Sequence, residues 1–150
     1  MENYLHIFLI SMVPFVELRG AMIYAAVAEM PFLPSLICCV LGNIFPVPFL
    51  IKFSKGILTY LSKLDKIGWI FQKIIDHGNK KALQVGSWEL LGLFFFVAFP
   101  IPGTGAWTAS LVAALLQLRI KKCLVAIGLG VIACGIIMGL LSFGIPNLFI

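Results

Sequence analysis

Polar positions are scarce and unevenly spaced along the chain, and the gaps between them set the elements. Residues 4–13 are apolar apart from His6 and Ser11. They predict a short helix that Pro14 ends or kinks, because proline lacks an N–H and clashes with the preceding turn. A second short helix is expected from about Gly20 to Glu29. Each piece of about ten residues spans roughly 15 Å, enough to reach the middle of a hydrocarbon core about 30 Å thick. Two such halves make either one broken spanning helix or a re-entrant hairpin. Pro31-Phe32-Leu33-Pro34 reads as a turn. Residues 35–51 are then apolar and uncharged, long enough with the turn to span, with Pro46 and Pro48 distorting the far end.

Residues 52–81 change character. Ile57, Leu61, Leu64, Gly68, Phe71 and Ile75 fall on one stripe at 3–4 spacing, and Lys55, Lys63, Lys66 and Lys73 fall opposite. The pattern predicts an amphipathic helix lying in the membrane interface, a depth that suits Trp69. A solvated linker helix is the other reading. Gly86-Ser87 breaks the pattern. Residues 88–99 read as an apolar half-helix, with Glu89 at the end where the helix dipole favours an acid. Pro100-Ile101-Pro102-Gly103-Thr104-Gly105 holds two prolines and two glycines and cannot continue a helix. A second half-helix is expected from about Ala106 to Leu118. A basic turn, Arg119-Ile120-Lys121-Lys122, leads into the uncharged, glycine-rich residues 123–145.

The same order therefore occurs twice, at an offset of about 86 residues, with Pro14 matching Pro100, Gly20 Ala106, Ala28 Ala114 and Gly42 Gly128. Paired interrupted segments point to a transporter with internal repeats and a site at the breaks. If both broken segments are re-entrant, ten of the eleven basic residues fall on one side, Arg19 excepted. The positive-inside rule makes that side cytoplasmic, gives the halves inverted topology and puts both termini outside. The expected fold is an all-α integral membrane protein: an inverted repeat of re-entrant helical hairpin plus transmembrane helix, joined by an amphipathic interfacial helix. It forms one membrane domain over 1–150, divided into 1–51, the linker 52–85 and 86–150.

Composition agrees. Of 150 residues, 61% are hydrophobic and 11% charged, against roughly 25% charged in a soluble domain. The chain is short for a many-helix transporter, which makes a homodimer plausible. No secretory signal peptide is expected, because the N-terminus lacks a positive region and Glu17 and Arg19 interrupt the apolar run. The net charge of +5 resides mostly in the linker, where anionic lipid headgroups are the natural partner and nucleic acid is not. Cys38, Cys39, Cys123 and Cys134 have no metal-ligand spacing and read as small buried hydrophobes. His6 and His77 are isolated. No Ser/His/Asp set and no catalytic pair of carboxylates occurs, so neither an enzyme, a cofactor nor a metal is expected.

The candidate chemistry lies at the two breaks. In Pro14-Phe15-Val16-Glu17-Leu18-Arg19-Gly20, two opposite charges sit in an apolar background. A central arginine or aspartate costs roughly 2.5–3.5 kcal/mol on insertion scales, and such residues mark functional sites by default. The N-terminus of each second half-helix is an anion site, one near Arg19-Gly20 and one near Thr104-Gly105. Arg19 supplies a planar fork for a phosphate or carboxylate. Gly103 and Gly105 let backbone N–H groups approach closely, Thr104 caps a helix or meets ligand, and Trp107 offers an apolar wall with one donor. Glu17 is the candidate proton carrier, answering to burial and to Arg19 in opposite directions. Pro14, Gly20, Pro100 and Pro102 hold the breaks. In the other reading, Glu17 and Arg19 pair or satisfy hairpin backbone and bind nothing, since non-helical backbone at membrane depth needs partners. Asn43 reads as helix–helix glue.

These stretches, with Gly42-Asn43-Ile44-Phe45-Pro46-Val47-Pro48 and Phe99-Pro100-Ile101-Pro102-Gly103-Thr104-Gly105-Ala106-Trp107, resemble the small multidrug export protein family, which is related to the DedA (VTT-domain) superfamily. The resemblance implies an integral membrane protein with two inward-facing re-entrant hairpins and an export role. It places the presumed site at the hairpin tips, here on Glu17 and Arg19. DedA proteins carry extra flanking helices, and this second tip lacks charge. The function expected is a small exporter in the cytoplasmic membrane that moves an amphipathic, anionic drug-like or lipid substrate, with proton coupling. The alternatives are a phospholipid or polyprenyl-phosphate flippase and a non-transporting scaffold that binds anionic lipid or a partner protein.

Overall fold

The computed structural model describes residues 2–83 and 87–144, and every regular element among them is a helix. α1 (Glu2–Met12) and α2 (Glu17–Val27) flank the first break. α3 (Phe32–Ile44) and α4 (Val47–Leu61) follow, with Phe45 and Pro46 between them. α5 (Gly68–Leu83) is the charged helix. α6 (Ser87–Ala98) and α7 (Ala106–Leu115) flank the second break, and α8 (Ile120–Gly139) ends in a π-helical turn, Leu140–Gly144. Gly86 lies outside the described residues.

The two short helices after the breaks are central. Ala21 and Ala25 of α2 and Ala106, Ala109 and Ala113 of α7 are wholly buried. Small side chains let neighbours close in: α2 packs against α1, α3 and α8, and α7 against α4, α6 and α8. The outer helices instead turn Leu5, Leu9, Phe49, Phe53, Leu129 and Leu140 outward. Large apolar side chains turned outward in this number are what a bilayer would cover. Phe32–Leu61 (30 residues) and Ile120–Gly144 (25 residues) are long and apolar enough to cross a bilayer.

α8 orders the ends of the molecule. Its first turn follows directly from the end of α7, where Lys55 Nζ donates to the Leu118 carbonyl (2.6 Å) and Gly78 lies against Gln117. The basic stretches on α4–α5 and at 119–122 therefore share one end. At the other end of α8, Phe143 meets Phe32 edge-on (ring centroids 5.4 Å apart), beside the end of α2. The C-termini of α2 and α7 thus lie at opposite ends of α8.

Those two helices stop the same way. Glu29 and Gln117 both take a left-handed conformation (φ 53°). The Met30 N–H donates to the Ala25 carbonyl and the Leu118 N–H to the Ala113 carbonyl (3.0 Å each), the Schellman closure of a helix end. The following helices also approach their partners alike. A Cβ on Gly42 would overlap the Phe8 carbonyl of α1, and one on Gly130 would crowd the Phe94 carbonyl of α6.

Several expectations change. The linker is not one helix: α4 runs on to Leu61, burying Val47, Ile51 and Leu58, and α5 starts only at Gly68. A Cβ on Gly68 would crowd the Ser62 carbonyl, so this glycine permits a tight turn in what reads as a continuous stripe. Pro46 and Pro48 do interrupt the apolar stretch, but at the start of α4 and not at the end of the span, which runs on to Leu61. Proline suits a first turn, whose N–H groups have no intrahelical partner. Gly20 is not part of a break. It lies inside α2, which starts at Glu17, and a Cβ there would overlap the Val16 side chain.

Candidate functional site

The first break, residues 13–16, is a tight reversal. Phe15 and Glu17 both have positive φ (74° and 51°), uncommon for bulky residues. The Glu17 N–H donates to the Val13 carbonyl (3.0 Å). Phe15 is thrown outward, 96% exposed, and Glu17 inward, 6% exposed. Arg19 follows on the first turn of α2. The second break, residues 99–105, turns at Pro100, Pro102 and Gly103 (φ 87°). Gly103 has open space where a Cβ would stand, so its role is conformational and not a close approach.

The two breaks are clasped together by the charged pair. Arg19 Nη2 donates to the Phe99 carbonyl (3.0 Å), the Thr104 carbonyl (3.2 Å) and Thr104 Oγ1 (3.3 Å). Thr104 Oγ1 itself donates to the nearer Ile101 carbonyl (2.9 Å). Arg19 thus places positive charge on the Phe99 carbonyl just past the end of α6, where the helix dipole favours a cation, and on the Thr104 carbonyl within the second break. Arg19 Nη1 stands 3.8 Å from Glu17 Oε2, a charge contact too long for a hydrogen bond. The Glu17 carboxylate sits on the N-terminus of α7. The Trp107 N–H points to Glu17 Oε1 (3.4 Å), and a Cβ on Gly105 would overlap all three carboxyl atoms. Each charge therefore meets the helix end whose dipole complements it. The anion site expected at Thr104–Gly105 holds this chain's own carboxylate. Trp107 Nε1 donates to the Met12 carbonyl (3.1 Å), so the expected donor of the wall closes the end of α1.

One residue read as glue joins this site. Asn43 is 3% exposed, and neither its Oδ1 nor Arg19 Nε has a hydrogen-bond partner among the described residues. Both side chains line one small cavity with Glu17, Gly105, Val97 and Cys134, with room for about one water molecule. A lone polar residue in an uncharged span was the available signal. Asn43→Leu should cost about 1–2 kcal/mol in a denaturant titration, because it fills the space in which one water would join Asn43 Oδ1 to Arg19 Nε and so leaves that nitrogen dry. A stabilised variant would remove Asn43 from the site. Gly105 was foreseen as a close approach, but its partner, Glu17, was not legible from spacing. Among the described residues, no three His, Cys, Asp or Glu side chains gather as a metal site requires.

A family model described as "Putative small multi-drug export protein" matches residues 17–137, which include both charged clasp residues and the whole second break. No curated protein and no solved structure matches the chain. The export family and the two helices of spanning length place the chain in a membrane.

Proposed function

The chain belongs to the small multi-drug export protein family, and on that premise we propose that it is a proton-coupled exporter of an anionic amphiphile that works at the Glu17–Arg19 clasp. One observation carries this reading: a carboxylate of the chain itself occupies a helix N-terminus that would serve any anion, beside an arginine fork. A substrate phosphate or carboxylate competes for the same donors, the Trp107 N–H and Arg19. Transfer of a proton to Glu17 Oε neutralises the internal competitor, loosens its hold on α7 and frees both donors. Loss of that proton restores the clasp and expels the anion. Proton and anion are then taken up together and released together, so export runs down the anion's own gradient and carries the proton outward with it.

The surrounding frame supports the reading. Matching helix ends and matching glycine contacts in the two halves are what an internal repeat produces. The register is about 86 residues for the first helices (Phe8 and Phe94) and about 88 beyond the breaks (Glu29 and Gln117), because the second break is three residues longer and α7 one residue shorter than α2. α2 and α7 lead away from the clasp toward opposite ends of α8, the arrangement of two inverted re-entrant hairpins whose tips meet at mid-depth. The basic end, gathered by Lys55 at Leu118, is the cytoplasmic side.

The test uses sealed vesicles holding purified protein and a fluorescent polyprenyl-phosphate analogue, an anionic phospholipid analogue or an amphipathic anionic dye. Wild type should move at least one cargo, and Glu17→Gln and Arg19→Ala should each reduce the rate about tenfold or more, a loss of roughly 1.4 kcal/mol. Movement unchanged in both variants would sink the clasp mechanism. The lipid and dye arms separate flippase from drug exporter. A second reading, a structural clasp in a scaffold, is favoured by the backbone acceptors that engage Arg19 Nη2. It expects charge reversal at Lys63, Lys66 and Lys73 to abolish function while Glu17→Gln is tolerated.

A further inference from the structure

We propose that the groove between the end of α1 and the α3–α4 junction holds an acyl chain of an anionic membrane phospholipid, with its headgroup at Lys52. The groove has a volume of about 600 Å³, within the range of about 300–1,000 Å³ typical of ligand sites. Its origin is local. α3 stops at Ile44 and α4 restarts at Val47 after Pro46, leaving an open lateral trough against Met12. Phe45, Phe49 and Phe53 recur every four residues and line one wall over about 12 Å of helix. They are 56%, 65% and 69% exposed. Phe45 also contacts Phe8 and Phe49 (ring centroids 6.4 and 5.9 Å apart), so the wall is built of packed rings.

The occupant follows from the lining. Almost all of it is apolar, which rejects a polar ligand and suits a hydrocarbon chain lying alongside. Lys52 is the one charged lining group. It stands one residue from Phe53, at the end of the phenylalanine row, where it meets a negative head and leaves the chain to run back toward Met12. Met12 connects the groove to the clasp, because its carbonyl accepts from Trp107 Nε1. A chain seated here lies beside the two breaks. The proposal rests on the membrane reading of the chain and deepens the site described above, and binding can be measured without transport.

Trp107 reports the groove from beside it, through its hydrogen bond to the Met12 carbonyl at the groove's edge. With Trp69→Phe and Trp88→Phe, both at exposed positions, it is the sole tryptophan. The protein is placed in phosphatidylcholine vesicles that contain either brominated phosphatidylglycerol or brominated phosphatidylcholine, and quenching is followed as the brominated share rises. The anionic lipid should show about fivefold higher relative affinity, the size of one lysine's attraction to an anionic surface. Lys52→Glu should erase the preference, while Lys121→Glu, away from the groove, should leave it. Equal quenching by both lipids, or a preference that survives Lys52→Glu, would overturn the proposal whether or not the protein transports. Preserved preference in a protein that moves no cargo would keep the lipid site and discard the export reading.

Discussion

Gly105→Ala should be among the most damaging single substitutions in the protein, lowering its stability by about 2–4 kcal/mol. The added Cβ would occupy the place of the Glu17 carboxyl group. The carboxylate has little room to give. Glu17 is held by a left-handed backbone at the first residue of α2 and is nearly fully buried. Displacement forfeits the Trp107 N–H and the helix dipole, and it moves a charge into apolar surroundings. The effect should therefore depend on what stands at position 17. Glu17→Ala removes the colliding atoms, so Gly105→Ala added to it should cost less than about 1 kcal/mol. Glu17→Gln keeps the bulk, so in that background Gly105→Ala should still cost most of its full value. Reversible unfolding of the wild type and the five variants in a mixed-detergent titration checks this. Equal costs in all backgrounds would mean that the α7 N-terminus does not hold Glu17 in the working protein.

Much of the frame was legible in the sequence because it is set by local rules. Pro14 and the Pro100–Gly105 stretch interrupt helices wherever they occur, and apolar runs on either side fix the half-helices to within a few residues. What spacing could not reveal lies in contacts between distant segments. The stripe from Ile57 to Ile75 keeps helical period straight through a turn, because residues 62–67 are no poorer in helix formers than their neighbours. Only the close approach of Gly68 to Ser62 shows the break. Glu17 and Arg19 are two residues apart in sequence, which suggests a pair acting on each other. In the fold each acts on the second break, Arg19 at the end of α6 and Glu17 at the start of α7. Asn43 was visible as an unexplained polar group, but its place in the clasp cavity depends on how α3 crosses α2 and α8. A constant offset of about 86 residues likewise misses that Glu29 matches Gln117 and Gly42 matches Gly130, each 88 apart, because the second break is longer by three residues and α7 shorter than α2 by one.

Arg19→Ala should cost about 3–5 kcal/mol, the usual penalty for stranding one member of a buried charge pair. Two separate losses contribute. The Phe99 carbonyl at the end of α6 and the Thr104 carbonyl in the second break lose their donor, and Glu17 loses its nearest cation. Arg19→Lys separates them, because one ammonium can serve the carbonyls or the carboxylate, but it cannot span both as Nη1 and Nη2 do. It should retain about half of the stability and, if the protein exports by the clasp, much less than half of the transport rate. The decisive comparison is Arg19→Ala made in a Glu17→Gln background. With no carboxylate to strand, its cost should fall by about 1–3 kcal/mol, the coupling expected of residues in one network. An undiminished cost would assign Arg19 to the carbonyls of the second break alone. The charge pair would then drop out of the mechanism, and proton exchange at Glu17 would lose its means of freeing the fork.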